Sequence, residues 1–148
     1  MKKRLFILIL FYVIMVLIFI WGNWPETRIY TKEELEEGLL SVELVLSYDY
    51  TPEKYLYETI RVFNTKEQQE IIEEISNITF VQATSPGSRV NPSYSLLFKY
   101  SDWLLEFSLY NAIGESDLNG KPYNGKMFFP ARYNEDLATL INKYLSNV

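Results

Sequence analysis

Glu115, Asp117, Asn119 and Gly120 place oxygen-bearing side chains at alternate positions ahead of a glycine, the spacing with which a calcium-binding loop opens. Such a loop ends on a bidentate carboxylate, but the position that would supply it is Lys126, and Pro122 intervenes. A polar turn built from Asp, Asn and Gly accounts for the same residues without a metal, so none is assigned as a ligand. Ser101 and Ser93 lie near Lys99 along the chain. A serine beside a deprotonated lysine can act as a nucleophile, provided that a buried pocket strips the lysine of its proton. Asp49, Glu58 and Lys99 would make a hydrolytic centre only if such a pocket gathered two of them within hydrogen-bond reach.

Other chemistries are excluded by composition. The chain has no cysteine and no histidine, which removes disulfides, thiol nucleophiles, thiolate and imidazole metal ligands, and Ser-His-Asp or Cys-His sites. Arg89 sits in the 85–91 stretch, where a Pro-Gly turn and serines could offer donors to an anion. No GxGxxG or Walker pattern accompanies it, and a surface turn is the simpler reading. No cofactor is expected.

Tyr48, Tyr50, Tyr55 and Tyr57 flank the first hairpin turn, and Tyr110 and Tyr123 bracket a long loop. Rings with polar tips suit contact with a peptide, a glycan or another protein. They also suit strand packing, towards which the strand preference of aromatics tilts the balance. The candidate partner-binding residues are Tyr48, Tyr50, Tyr57, Arg89, Tyr110 and Tyr123.

The elements that position them begin with a membrane segment. From Leu5 to Trp21 all 17 residues are apolar or aromatic, about 26 Å of helix at ~1.5 Å per residue. Lys2, Lys3 and Arg4 precede the run, and Trp21 and Trp24 stand where indoles collect at a membrane interface. Basic residues on the near side predict a cytoplasmic N-terminus and an outward domain. A cleaved signal peptide has the same charge order but a shorter apolar core and an Ala-x-Ala-like site, so an uncleaved anchor is the primary reading and secretion the alternative. From Trp24 onward there are 11 basic and 19 acidic residues, a net of −8. That surface repels nucleic acid.

The chain therefore divides into a basic tip and anchor at 1–23, a linker at 24–31 and one extracytoplasmic domain at 32–148. Thr31 and Glu34 form a capping box for a helix over 32–40. Alternation at Val42, Leu44, Leu46, Tyr48 and Tyr50 predicts a strand, and Leu56, Ile60 and Val62 mark the buried face of its hairpin partner over 55–63. Thr65 and Gln68 cap a helix over 66–77 carrying Ile71, Ile72 and Ile75. A strand over 79–84 leads to the Ser85-Pro86-Gly87-Ser88 turn. Tyr94, Leu96, Phe98 and Tyr100 then face Trp103, Leu105 and Phe107 across a Ser101-Asp102 turn, pairing Phe98 with Leu105 and Leu96 with Phe107. Residues 111–125 read as a long exposed loop, 126–130 as a last strand, and Asn134 as the cap of a final helix carrying Leu137, Leu140, Ile141, Tyr144 and Leu145. The order predicts an α+β domain, a mainly antiparallel sheet with helices on one face.

The segment from the isoleucine helix through Lys121-Pro122-Tyr123-Asn124-Gly125 resembles small exported or membrane-anchored domains of unknown function from Gram-positive bacteria. In these a helix, a Ser- and Pro-containing turn, a strand pair and a Pro-Tyr-x-Gly motif follow in similar order. The resemblance implies an envelope location and no particular reaction. The functional expectation is a membrane-anchored extracytoplasmic module that contacts the lipid bilayer through its helix and binds an envelope protein or peptide. The alternatives are a cell-wall glycan-binding module and a small hydrolase using carboxylates or a Ser-Lys pair.

Overall fold

The computed structural model describes residues 2–22, 27–51, 54–81, 92–109, 113–121 and 135–148. Helix α1 (Lys2–Gly22) is followed by β1 (Thr27–Arg28), α2 (Lys32–Glu36), β2 (Leu39–Thr51), β3 (Lys54–Val62), α3 (Thr65–Ser76), β4 (Phe80–Val81), β5 (Ser93–Tyr100), β6 (Trp103–Ser108), β7 (Ile113–Asp117) and α4 (Glu135–Leu145). The fold is α+β. Helix α1 is apolar and long enough to cross a membrane, and none of its length is buried against the domain. Only residues 23–26 separate it from β1, a reach of at most roughly 18 Å.

Five antiparallel strands form one sheet in the order β3-β2-β5-β6-β7, and β1 pairs with β4 in a second, two-stranded sheet. The core lies on one face of the larger sheet. Val42, Leu44, Leu96, Phe98, Leu105, Phe107 and Ile113 pack there against Leu35 of α2, Ile71, Ile72 and Ile75 of α3, and Leu137, Leu140, Ile141 and Tyr144 of α4. The β5–β6 register pairs Phe98 with Leu105 and Leu96 with Phe107, as the alternation requires. At the turn Tyr100 stacks on Trp103, with ring centroids 4.2 Å apart. The buried Tyr100 hydroxyl donates to Leu35 O at 2.9 Å, and burial pushes its pKa up.

Several local expectations differ from the structure. The Thr31 capping box forms, but α2 stops at Glu36 because Gly38 takes a positive φ of 73° and turns the chain into β2. Helix α3 is capped by Asn64 and Glu67 rather than Thr65 and Gln68; the Asn64 side chain accepts from Glu67 N–H, and Glu67 reaches back to Asn64 N–H. A short amide side chain caps as well as a hydroxyl, and that contact is worth about 1 kcal/mol. In β3 the expected face breaks. Arg61 lies opposite Leu44 and Thr59 opposite Val45, so Ile60 is an extra residue. The bulge reverses the alternation, turning Val62 out and Phe63 in. Ile60 packs against the core while Leu56 is exposed.

Part of the stretch read as linker has regular structure: β1 pairs with Phe80 and Val81, and Tyr30 is buried between Phe80 and Phe107. Residues 113–117, read as loop, form the edge strand β7. The polar composition there concealed a strand whose pairing comes from the β6 backbone. The 85–88 turn, the strand at 126–130 and the Asn134 cap lie outside the described residues.

Candidate functional site

The face of the sheet opposite the core is also buried, and its residues are small and polar. Glu43, Ser47, Ser93, Ser95, Glu106, Ser108 and Ser116 are all buried there, around a small apolar centre of Val45, Leu97 and Leu104 with Tyr57 packed on it. An outer sheet face normally meets water; this one is closed off because the sheet coils.

Two measurements establish the coiling. Asp117 pairs with Trp103, and the same end of the sheet pairs Tyr100 with Leu39. Tyr55 pairs with Asp49, about ten residues further along β2. On a flat sheet these corners would lie roughly 19 Å apart across the strands and roughly 30 Å apart along them. Yet Tyr55 N–H donates to Gly120 O at 3.0 Å, and Gly120 N–H donates back to Asp117 O at 2.9 Å. Three residues can bridge at most about 11 Å. The second measurement is a side-chain bridge: the Tyr57 hydroxyl on β3 donates to Glu106 Oε2 on β6 at 3.2 Å, although a flat sheet would set those strands roughly 14 Å apart. The strands thus curl into an incomplete, strongly sheared barrel. Serines suit its inner face because small side chains let it close.

Glu43 and Glu106 face one another through Leu97, which pairs with both across β5. Each carboxylate is held by hydroxyls. Glu43 accepts from Thr59 Oγ1 at 2.6 Å and Ser41 Oγ at 3.3 Å, and Lys99 Nζ lies 2.7 Å from it. Glu106, 1% exposed, accepts from Ser95 Oγ at 2.6 Å as well as from Tyr57. Ser93 and Ser108 share a hydrogen bond at 3.2 Å. Above this network a cavity of about 350 Å³ opens between β3, β5, β6 and the 118–120 turn. Its walls include Lys54, Tyr57, Thr59, Leu97, Lys99, Leu104, Leu118 and Asn119.

The turn that completes the cavity is made by Asp117. Its Oδ1 accepts from Asn119 N–H at 2.8 Å and Lys121 N–H at 2.9 Å, the self-bonded arrangement of an Asx turn. The residues spaced like a calcium loop therefore form an edge strand and a polar turn. Among the described residues no group of three or more carboxylates converges as a metal site.

The sequence-predicted residues are distributed across the molecule. The pleat puts Tyr48 and Tyr57 on opposite faces. Tyr48 donates to Glu58 Oε2 at 3.0 Å, and that bond pushes the tyrosine up in pKa; Tyr94 lies near it and is exposed. Tyr57 enters the hollow. Tyr50 belongs to β2, with its side chain outside the described residues, as are Trp24, Arg89, Tyr110 and Tyr123 altogether. Lys2, Lys3 and Arg4 make the first turn of α1, and Trp21 lies exposed in its last turn. Lys99 joins Glu43 rather than Glu58 or a serine, and the Asp49 side chain lies outside the described residues; Ser101 is exposed and donates to Asp102.

The Glu43–Lys99 pair and the Glu106–Ser95 pair, on either side of Leu97, were not found by sequence reasoning. The available signal was the wrong kind of outer face: Val45, Leu97 and Leu104 alternate with the core residues, and serines occupy positions where a solvated sheet carries long charged side chains. No family model, curated protein or solved structure matches the chain.

Proposed function

We propose that the chain is a single-pass module of the cell envelope whose domain lies outside the cytoplasm and binds a protein or peptide partner in the hollow of its coiled sheet. The observation that carries the reading is the cavity itself. It is open enough to admit a ligand and is walled by leucines and by polar groups, behind which buried carboxylates already hold hydroxyl and ammonium donors. Such satisfied groups provide fixed recognition chemistry rather than a reactive lone pair. Lys99, the base that a Ser-Lys site would need, is engaged with Glu43. The short connection to α1 keeps the domain close to the bilayer, where a partner would be membrane-bound or part of the wall.

Orientation follows from Lys2, Lys3 and Arg4 ahead of the apolar helix. Protease added to spheroplasts should remove residues 27–148, and the intact chain should stay with membranes through high salt, because helix insertion is hydrophobic and insensitive to screening. A fully protected domain would refute the orientation. A photo-crosslinking residue at Leu118, 56% exposed on the cavity rim, should capture one reproducible partner. The same residue at Val62, exposed outside the cavity, should not capture it. Equal capture from both positions would sink the assignment of the hollow.

A further inference from the structure

We infer that the hollow takes the free carboxylate end of a peptide whose last side chain is apolar; this rests on the peptide-binding reading above and names the part of the partner recognised. The domain is strongly acidic, with a net of −8 from Trp24 onward, yet the cations Lys54 and Lys99 line the cavity and no carboxylate does so among its described residues. Of the two buried acids beneath it, Glu106 lies behind Tyr57, whose hydroxyl donates to it, and Glu43 sits behind Lys99. Its side chain is 7% exposed against 37% for the lysine, so the pair presents its positive end to the opening.

Lys99 retains donors for a ligand. An ammonium has three N–H groups, and the bond to Glu43 at 2.7 Å uses one. Glu43 is meanwhile shared with the Thr59 and Ser41 hydroxyls, which spreads its charge and weakens its repulsion of a second anion. Lys54 adds an unburied positive charge at the mouth. A carboxylate entering there meets two ammonium groups in a site more sheltered than bulk solvent, where charge-assisted hydrogen bonds gain strength.

The remaining walls fix the rest of the ligand. Leu97 and Leu104 form the buried apolar floor, and Leu56 and Leu118 form an apolar rim. At about 350 Å³ the space is at the small end of ligand sites, which suits one terminal residue and its neighbour rather than a length of chain. Asn119, which lines the same cavity, carries amide donors and an acceptor that can meet a peptide bond. A fatty acid shares the anionic head and apolar body but lacks that amide.

The test is calorimetric titration of the full chain in lipid nanodiscs with three probes: an acetylated tetrapeptide ending in a leucine free acid, the same peptide as its C-terminal amide, and octanoate. The free acid should bind saturably, with the amide at least tenfold weaker and octanoate weaker than the peptide. Lys99→Gln should weaken the free acid at least tenfold and Lys54→Gln about threefold. Lys54 is exposed, so its variant keeps the test independent of folding, which an unchanged urea midpoint confirms. Equal binding of acid and amide, or unchanged affinity in both lysine variants, would overturn the carboxylate assignment; octanoate binding as tightly as the peptide would overturn the peptide. Absence of peptide binding alongside a reproducible crosslink at Leu118 would defeat this inference alone, whereas loss of both would defeat the binding function as well.

Discussion

Gly120→Ala should destabilise the domain by roughly 3 kcal/mol, while Gly38→Ala should cost only about 1 kcal/mol. The two glycines have nearly the same backbone, with φ of 77° and 73°, so the strain of placing an L side chain in the left-handed region is common to both. So is the entropy that alanine removes from the unfolded chain. What differs is space. A Cβ on Gly38 meets nothing within 4 Å, whereas one on Gly120 would lie 2.2 Å from Tyr55 O and 3.1 Å from Tyr55 C. Those are backbone atoms and cannot swing aside. Relief requires the 118–121 turn to leave β3, breaking the Tyr55–Gly120 hydrogen bond that joins the two ends of the coiled sheet. Urea titration of both variants, read from midpoint shifts at constant slope, measures the difference. Equal losses would mean that the turn and β3 do not touch.

Glu106→Ala should cost about 3 kcal/mol, and Glu106→Gln about 1 kcal/mol. Alanine removes the acceptor of the fully buried Ser95 hydroxyl and one partner of Tyr57, and a buried donor that loses its acceptor carries a desolvation penalty. Glutamine keeps an acceptor oxygen in nearly the same volume. Because the Tyr57 ring also packs over Val45, Leu97 and Leu104, loss of its anchor should loosen the cavity wall as well. The Ser95→Ala, Glu106→Gln cycle should show a coupling of about 1 kcal/mol. A Glu106→Ala variant within about 0.5 kcal/mol of the parent, the ordinary range for surface positions, would show that the carboxylate is solvated and the hollow open.

The core face was readable from sequence because its signal is periodic. Tyr94 to Phe107 alternate cleanly across a two-residue turn, and the isoleucines of α3 recur at helical spacing, so pairing and burial follow from one rule. Where a single residue interrupts the period, as Ile60 does, the rule fails for all that follows, and Val62 and Phe63 exchange faces. Edge strand β7 carries no such period, since Gly114, Glu115 and Ser116 are recruited by backbone pairing with Leu104 to Glu106. The candidate site lay further out of reach. Glu43 and Glu106 are 63 positions apart; strand register sets them on either side of Leu97, and their burial follows from curvature, which comes from strand twist and from the contact of Gly120 with Tyr55. No local pattern encodes that contact. Read one strand at a time, Ser93, Ser95 and Glu106 are ordinary outward residues; only closure buries them. The two tyrosines of the first hairpin whose side chains are described, Tyr48 and Tyr57, are sent by the pleat to opposite sides of the sheet.

Closure of the sheet is thus the claim on which the hollow, its buried carboxylates and its proposed ligand all depend. Since the chain has no native cysteine, spin labels can be attached through Leu56→Cys and Leu118→Cys, both at the cavity rim, in the full chain held in nanodiscs. Double electron–electron resonance should give one narrow distance distribution centred at roughly 15–20 Å. A distribution centred at about 35 Å, the diagonal of a flat five-stranded sheet, would contradict the account.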